Sequence, residues 1–341
     1  MRPPIDRRLR DLPVPDPALL EEARGEPMTA PRHAAFMRAI PALGALEQRA
    51  PERPLPCPAR LTVAAFNVER LKYPAATRAL LDGTGVRVAL LAEVDVGMAR
   101  SGNRHHFREL AASAGEGYVY GVEFVELGLG DPQEIEAHRG ERNAQGIHGT
   151  GIVTGLALED AVVIPLEEGG SWYPGLDGVQ HRIGGRIAVA ARTADAPRPL
   201  WFVSVHLESK TDEADRAAQM AALLQGLDRI APGAAVVMGG DFNTKALPFE
   251  DEDREAVLTH PDRWEPLFGH LRRAGFSWAP SNVPDPTRRK GPSGREDIPY
   301  RKLDWIVTRG VVCEHPRMVP AEDREGNPIS DHEMVAVDIL L

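Results

Sequence analysis

AAVVMGGDFNT, residues 234–244, is the stretch whose reading decides the fold. Ala235–Gly239 is short, apolar and bounded by glycine, as a buried strand should be. Asp241 and Asn243 follow at once, two residues apart, so an extended chain turns both to one face. A strand end can hold a polar side chain rigidly while still exposing it, which is what a chemical site requires. Taken alone, Asp-x-Asn after a strand is an ordinary Asx-turn. The pattern gains meaning because it recurs.

Outward from that stretch, LTVAAFN (61–67) closes on Asn67, and VALLAEVD (88–95) carries Glu93 at the end of an apolar run. A carboxylate there must be paired or bind a cation, since burying it alone costs several kcal/mol. Asp95, two residues on, shares its face if the strand continues. LWFVSVHL (200–207) ends on His206 and is followed by Glu208. KLDWIVT (302–308) sets Asp304 among apolar residues, and Ser330-Asp331-His332 precedes a last apolar run. Neighbours in sequence, Asp331 and His332 diverge in direction and need different partners. Singly, each has a bland reading: a hydrogen-bonding histidine, a salt-bridged strand start, a surface loop.

The strand-like runs are Leu61–Asn67, Val86–Val94, Tyr118–Phe124, Gly151–Thr154, Arg186–Arg192, Leu200–Leu207, Ala235–Gly239, Leu303–Thr308 and Met334–Leu340. One helix is expected after Thr211 as N-cap, with Met220, Leu223, Leu224, Leu227 and Ile230 on one face and Pro232-Gly233 as its stop. A second is expected over Arg263–Ala274, stopped by Gly275. Many strands and few long helices predict an α+β fold with two packed sheets flanked by helices, rather than a doubly wound sheet. Residues 1–58 differ in texture, being rich in Pro, Arg, Ala and Glu, with helical patches at Pro17–Arg24 and Pro31–Arg49, the latter interrupted by Pro41. They are expected to form an extension to a main domain spanning 59–341.

The chain has 341 residues, 43% hydrophobic and 26% charged, enough apolar material for a sizeable core. No apolar run approaches a membrane span. Arg2, Arg7, Arg8 and Arg10 have no apolar stretch behind them, so no secretory signal is expected and the cytoplasm is the default. Two distant cysteines, Cys57 and Cys313, fit free thiols better than a disulfide. A net charge of −10 disfavours tight non-specific binding to a duplex backbone, although a bound cation reverses the local effect of cleft carboxylates. Arg288, Arg289, Lys290, Arg295, Arg301 and Lys302 form a basic cluster, read either as a solvated loop or as a phosphate-steering patch.

Together these residues spell a chemistry. Hydrolysing a phosphodiester needs an activated water, a neutralised phosphate oxygen and a protonated leaving group. Glu93, helped by Asn67, offers the hard oxygen that suits magnesium, and a histidine positioned by an acid supplies proton transfer near neutral pH.

With these pieces in order, AAFNVE, LLAEVD, VSVHLES, GGDFNT, KLDWIV and SDHEMVAV, the chain resembles the endonuclease/exonuclease/phosphatase superfamily with the deoxyribonuclease-like fold. The likeness covers residues 61–341. It implies a four-layer α/β/β/α sandwich with the site at one rim, and Mg2+ as cofactor with Mn2+ as the alternative ion. It implies that Glu93 is the main metal ligand, supported by Asn67, with Asp331 beside the metal. Asp241 and Asn243 would orient or activate water and hold the phosphate. His332, oriented by Asp304, would be general base or phosphate contact, and His206 would serve the leaving oxygen. Arg186, in GGRIAVAA, matches a phosphate-contacting position.

There are departures. Ala92 stands where many members have Gln before the metal-binding Glu, and GIHGTGIVT replaces a segment that often supplies another polar contact. His148 is the candidate there, though a Gly-rich turn is the stronger reading. PYRKLDWIV lacks the Trp-Cys-Asp-Arg run of the inositol phosphatases and is nearer the Arg-Leu-Asp-Tyr of AP endonucleases.

The leading expectation is a magnesium-dependent phosphodiesterase, with nucleic acid as the commonest substrate in the superfamily. The alternative is a phosphatase or phosphodiesterase acting on a lipid headgroup or small soluble phosphate ester, which the acidic charge favours. A third reading, a catalytically silent binding protein, is weakened by the intact metal and histidine positions. No membrane span and no protein partner are expected.

Overall fold

The computed structural model describes residues 2–167, 171–175, 180–196, 198–294 and 299–341. Arg295 of the basic cluster lies outside them. The strands in chain order are β1 (Arg8–Leu9), β2 (Leu46–Arg49), β3 (Arg60–Arg70), β4 (Val86–Val96), β5 (Gly117–Glu126), β6 (Ile147–Thr154) and β7 (Leu158–Pro165). They continue with β8 (Arg182–Gly184), β9 (Ile187–Thr193), β10 (Leu200–His206), β11 (Ala235–Asp241), β12 (Asp304–Arg309), β13 (Val312–Val319) and β14 (Met334–Leu340). The helices are α1 (Pro17–Ala23), α2 (Ala30–Ala39), α3 (Pro74–Thr84), α4 (His106–Ala112), α5 (Pro132–Ala137), α6 (Glu213–Ile230), α7 (Arg254–Thr259) and α8 (Leu267–Arg273).

Strand alternation builds two sheets. One runs β1-β2-β5-β6-β4-β3-β14-β13 with β8 against β5, and the other runs β12-β11-β10-β9-β7. On β4, Val88 and Leu90 face the second sheet, while Ala89 and Leu91 face Leu81 of α3 and Phe107 and Leu110 of α4. On β10, Leu200 and Phe202 point into the inter-sheet core, and Trp201, Val203 and Val205 meet Met220, Leu223 and Leu227 of α6. These two strands thus bury both faces, one against a sheet and one against helices. The result is the expected four-layer α/β/β/α sandwich.

Several local expectations shift. Asp212, not Thr211, caps α6, its carboxylate accepting from the Asp215 N–H at 2.9 Å. The second expected helix begins only at Leu267, after Pro266, and Gly275 stops it at φ +79°. β7 and β13 were not foreseen, because they lie at or near sheet edges and contain proline, at Pro165 and Pro316. GIHGTGIVT is not a Gly-rich turn but β6. Its Gly149 is required by close approach, since a Cβ there would stand 1.9 Å from the Gly121 carbonyl oxygen.

Residues 2–58 are woven into the sandwich. Where helix was expected through Arg49, α2 stops at Ala39, a 3-10 turn spans Pro41–Gly44, and β2 pairs antiparallel with β5. Ile5 bridges to Val163 on β7, so the segment crosses from the edge of the large sheet to the edge of the small one. Buried Glu47 anchors it, accepting from the Leu12 N–H at 2.9 Å, Arg108 at 2.8 Å and the Tyr118 hydroxyl. Cys57 and Cys313 are free and half-buried. Among the described residues no helix is long and apolar enough to cross a membrane.

Candidate active site

The register of the small sheet aligns three polar residues at one end. His206, the last residue of β10, pairs with Asp241, the last of β11, and Asp241 pairs with Asp304, the first of β12. Asn67 and Glu93 arrive from the facing sheet on β3 and β4, and His332 from the loop before β14. All the expected site residues meet here. Asn67 donates from Nδ2 to Glu93 Oε1 and to Asp241 Oδ2, each at 3.1 Å. Nε2 of both His206 and His332 lies 3.7 Å from that same Asp241 Oδ2. Asn243 donates its N–H to Asp241 Oδ1 at 2.8 Å and its amide to the Leu207 carbonyl at 2.9 Å. Glu93, His206, Asp241, Asn243 and His332 line a cleft of about 460 Å³, and Asn67 and Asp304 are fully buried.

Asp331 and His332 do take different partners. Asp331 pairs with Arg288 at 2.5 Å, whereas His332 Nδ1 lies 2.7 Å from Asp304 Oδ2. Burial would lower the His332 pKa, but the carboxylates of Asp304 and Asp241 outweigh it and push it up to about 10. Glu93 is held well below the usual carboxylate range, because the charge of Arg70 overcomes the cost of burial.

Arg186 stands just before β9, behind His206. It donates to Glu123 Oε2 at 2.7 Å and Glu208 Oε2 at 3.1 Å, and its Nη1 is 2.8 Å from His206 Nδ1. Both acids are drawn down to about 2, burial being offset by the guanidinium. Trp172 completes this wall, its indole N–H donating to Glu208 at 3.0 Å.

Asp95 does not simply share the face of Glu93. A bulge breaks the β4–β6 register between Leu91 and Val94, and Asp95 instead accepts from Arg100 at 2.8 Å and lies 2.7 Å from His148 Nδ1. His148 is buried and stacks on Phe124 with ring centroids 4.5 Å apart.

Backbone strain gathers at the same place. Glu69, Arg70 and Leu71 have φ of 39°, 71° and 53°, with Glu93 at 58° and Asn243 at 50°. Non-glycine residues in this region cost about 1–3 kcal/mol each, and such strain clusters where side chains must be aimed.

Sequence reasoning missed Glu69, Arg70 and Glu123. Asn-x-Glu at the end of β3 was a signal for Glu69, and an acid within the apolar Tyr118–Phe124 run was one for Glu123. Nothing in the sequence pointed to Arg70, whose direction depends on the left-handed turn. Glu69 bears on whether a cation fits. Among the described residues its Oε2 is buried with no hydrogen-bond partner, and burial together with Asp331 raises its pKa to about 7. Glu69, Glu93 and Asp331 bring hard carboxylate oxygens to one cleft, the donor type of magnesium or manganese, and Asn67 holds Glu93 in place through its Nδ2. Among the described residues three sets have donor atoms within 4.8 Å of one another: Glu93, His206 and Asp241; Asp241, Asp304 and His332; and Glu123, His148 and His206, where the Arg186 guanidinium already contacts Glu123 and His206.

The sequence matches no family model and no curated protein. Solved structures do resemble the chain. An endonuclease/exonuclease/phosphatase from Beutenbergia cavernae DSM 12333 superposes with TM-score 0.55 at 17% identity, over 83% of this chain and 72% of its own. An endonuclease/exonuclease/phosphatase family protein from Leptotrichia buccalis C-1013-b gives TM-score 0.55 at 12% identity, over 82% and 100%. A D. rerio TDP2 humanized by 14 mutations gives 0.52 at 17%, over 83% and 100%. At these identities the likeness concerns architecture: the chain has the fold of endonuclease/exonuclease/phosphatase proteins.

Proposed function

We propose that this protein is a magnesium-dependent phosphoesterase, a phosphodiesterase or nuclease that cleaves P–O bonds by metal-assisted, in-line attack of water. The observation that carries the reading is the surroundings of Asp241 Oδ2, reached by Asn67 at 3.1 Å and by both imidazoles at 3.7 Å. Residues from six separate motifs converge there on hard oxygens and two histidines, the parts phosphodiester hydrolysis needs.

Glu93, with Asn67, Glu69 and Asp331, would hold the ion, and Mn2+ fits the same donors. When bound, it would neutralise charge on the phosphate and help to ionise water. Asp241 accepts a proton from the attacking water or orients it, and Asn243 keeps the Asp241 carboxylate in place. His332, its Nδ1–H held by Asp304, presents Nε2 to the same water or to a phosphate oxygen. His206 presents its own Nε2 for the leaving oxygen. Arg186 backs His206 rather than lying free for substrate, with two carboxylates already on its guanidinium.

One observation favours the second reading, a lipid headgroup or small soluble phosphate ester. His206 and His332 are each only 3% exposed, which suits a small or flexible ester better than a rigid duplex. The test is a panel of plasmid, abasic duplex, single strands, and lipid and sugar phosphates, each with magnesium or EDTA. Turnover of at least one ester, abolished by EDTA and restored by magnesium, is expected. Inertness toward the whole panel, or turnover indifferent to EDTA, would sink the proposal.

A further inference from the structure

Both carboxylate oxygens of Glu93 are occupied by neighbours. Oε1 accepts from Asn67 Nδ2 at 3.1 Å, and Oε2 is in ion-pair contact with Arg70 Nη1. The two partners differ in freedom. Asn67 is fully buried, and its amide is shared with Asp241. Arg70 stands on the cleft wall and has a second anchor, its Nε lying 3.3 Å from Glu134 Oε1. Glu134 is itself fixed, by Arg100 at 2.9 Å and by the Asp131 N–H at 2.8 Å in the capping box of α5.

The backbone adds a second argument. Arg70 has φ +71° between two other left-handed residues, a conformation glycine adopts without strain and arginine does not. An arginine at this position is explained by its side chain, not by the turn. Its planar fork suits a phosphate as well as a carboxylate.

We propose that Arg70 competes with the cation for Glu93: its guanidinium holds the carboxylate until a divalent ion is bound, then transfers, still tethered to Glu134, to the phosphate of the substrate. This rests on the reading of Glu93 as a cation ligand. Two positive groups on one carboxylate repel each other, so the ion binds only as Arg70 yields. An anion that accepts the freed guanidinium removes that cost. Cation and phosphate therefore bind cooperatively, each tightening the other by the same factor.

The test titrates Mn2+ into the full chain, with free ion followed by electron paramagnetic resonance, in the absence and presence of inorganic phosphate. The chains compared are wild type, Arg70→Gly and Glu93→Gln. Glycine suits the left-handed backbone and so offsets part of the ion pairing lost with Glu93 and Glu134, and a thermal melt verifies that Arg70→Gly is folded at the assay temperature. Arg70→Gly should bind Mn2+ about ten-fold more tightly without phosphate, and the phosphate-induced tightening of the wild type should vanish in it. Unchanged affinity in Arg70→Gly, with tight binding still lost in Glu93→Gln, would overturn this inference alone. Equal Mn2+ binding by wild type and Glu93→Gln would remove the cation reading as well.

Discussion

Arg186 Nη1 lies 2.8 Å from Nδ1 of His206. A guanidinium can only donate, so His206 accepts at Nδ1 and carries its proton on Nε2, the nitrogen facing Glu93 and Asp241. Arg186 thereby fixes the tautomer that offers a proton to the cleft. In Arg186→Lys the shorter, single-headed ammonium cannot satisfy Glu123, Glu208 and His206 together, and the imidazole can turn its proton to Glu123, 3.7 Å away. Activity should fall ~10²–10⁴-fold, the usual scale for acid–base partners. Nitrogen-15 shifts of His206 should report Nε2–H in the wild type and Nδ1–H in the variant. An unchanged tautomer would refute the role.

Glu93→Gln removes the only charge of this residue while keeping its shape. Magnesium dependence should weaken and most activity should disappear, because an amide does not hold a hard cation as a carboxylate does. Turnover equal to the wild type at low magnesium would show that the ion is held elsewhere.

Asp304→Asn tests the other imidazole. The amide carries no charge to hold the imidazolium of His332, whose Nδ1 stands 2.7 Å from the Asp304 carboxylate, so the ring loses both its bound proton and its fixed orientation. A loss of ~10²–10⁴-fold in kcat is expected, with the melting temperature within a few degrees of wild type. Wild-type kcat in a folded variant would break the proposed pairing.

Acid should loosen residues 2–58 before the sandwich. His33 on α2 accepts the Gly184 N–H at 3.1 Å, and burial lowers its pKa from 6.5 to about 4. The unfolded chain takes up that proton first, so this stabilisation is present above about pH 6.5 and is lost as pH falls through 4. Glu47 follows. Burial raises its pKa, but His105, Tyr118 and Arg108 bring it from 4.5 down to about 2, so its share is lost between those values. Hydrogen exchange at pH 7 and pH 4 should show the segment opening at pH 4 while β10 and β11 stay protected. Glu47→Gln should cost about 3 kcal/mol in denaturant titrations at pH 7, as loss of one partner in a buried ionic cluster does. Uniform exchange over the chain at pH 4 would contradict the order.

The sequence by itself determined the strands that carry the chemistry and the polar residues closing them. Asn67, Glu93, His206 and Asp241 are legible because a polar side chain ending an apolar run is conspicuous at short range, and Asp304 because it opens one. The sequence's many short apolar runs and few long helices also pointed to two packed sheets flanked by helices, and the four-layer order followed from the family resemblance. The bulge at Glu93, the left-handed turn that aims Arg70, and the Arg186 clamp on His206 were decided only by tertiary structure. So was the capture of residues 2–58 by the sheet edges. These features depend on which strands become neighbours and in what register, and a strand's own residues carry no record of the partner that will occupy its hydrogen bonds.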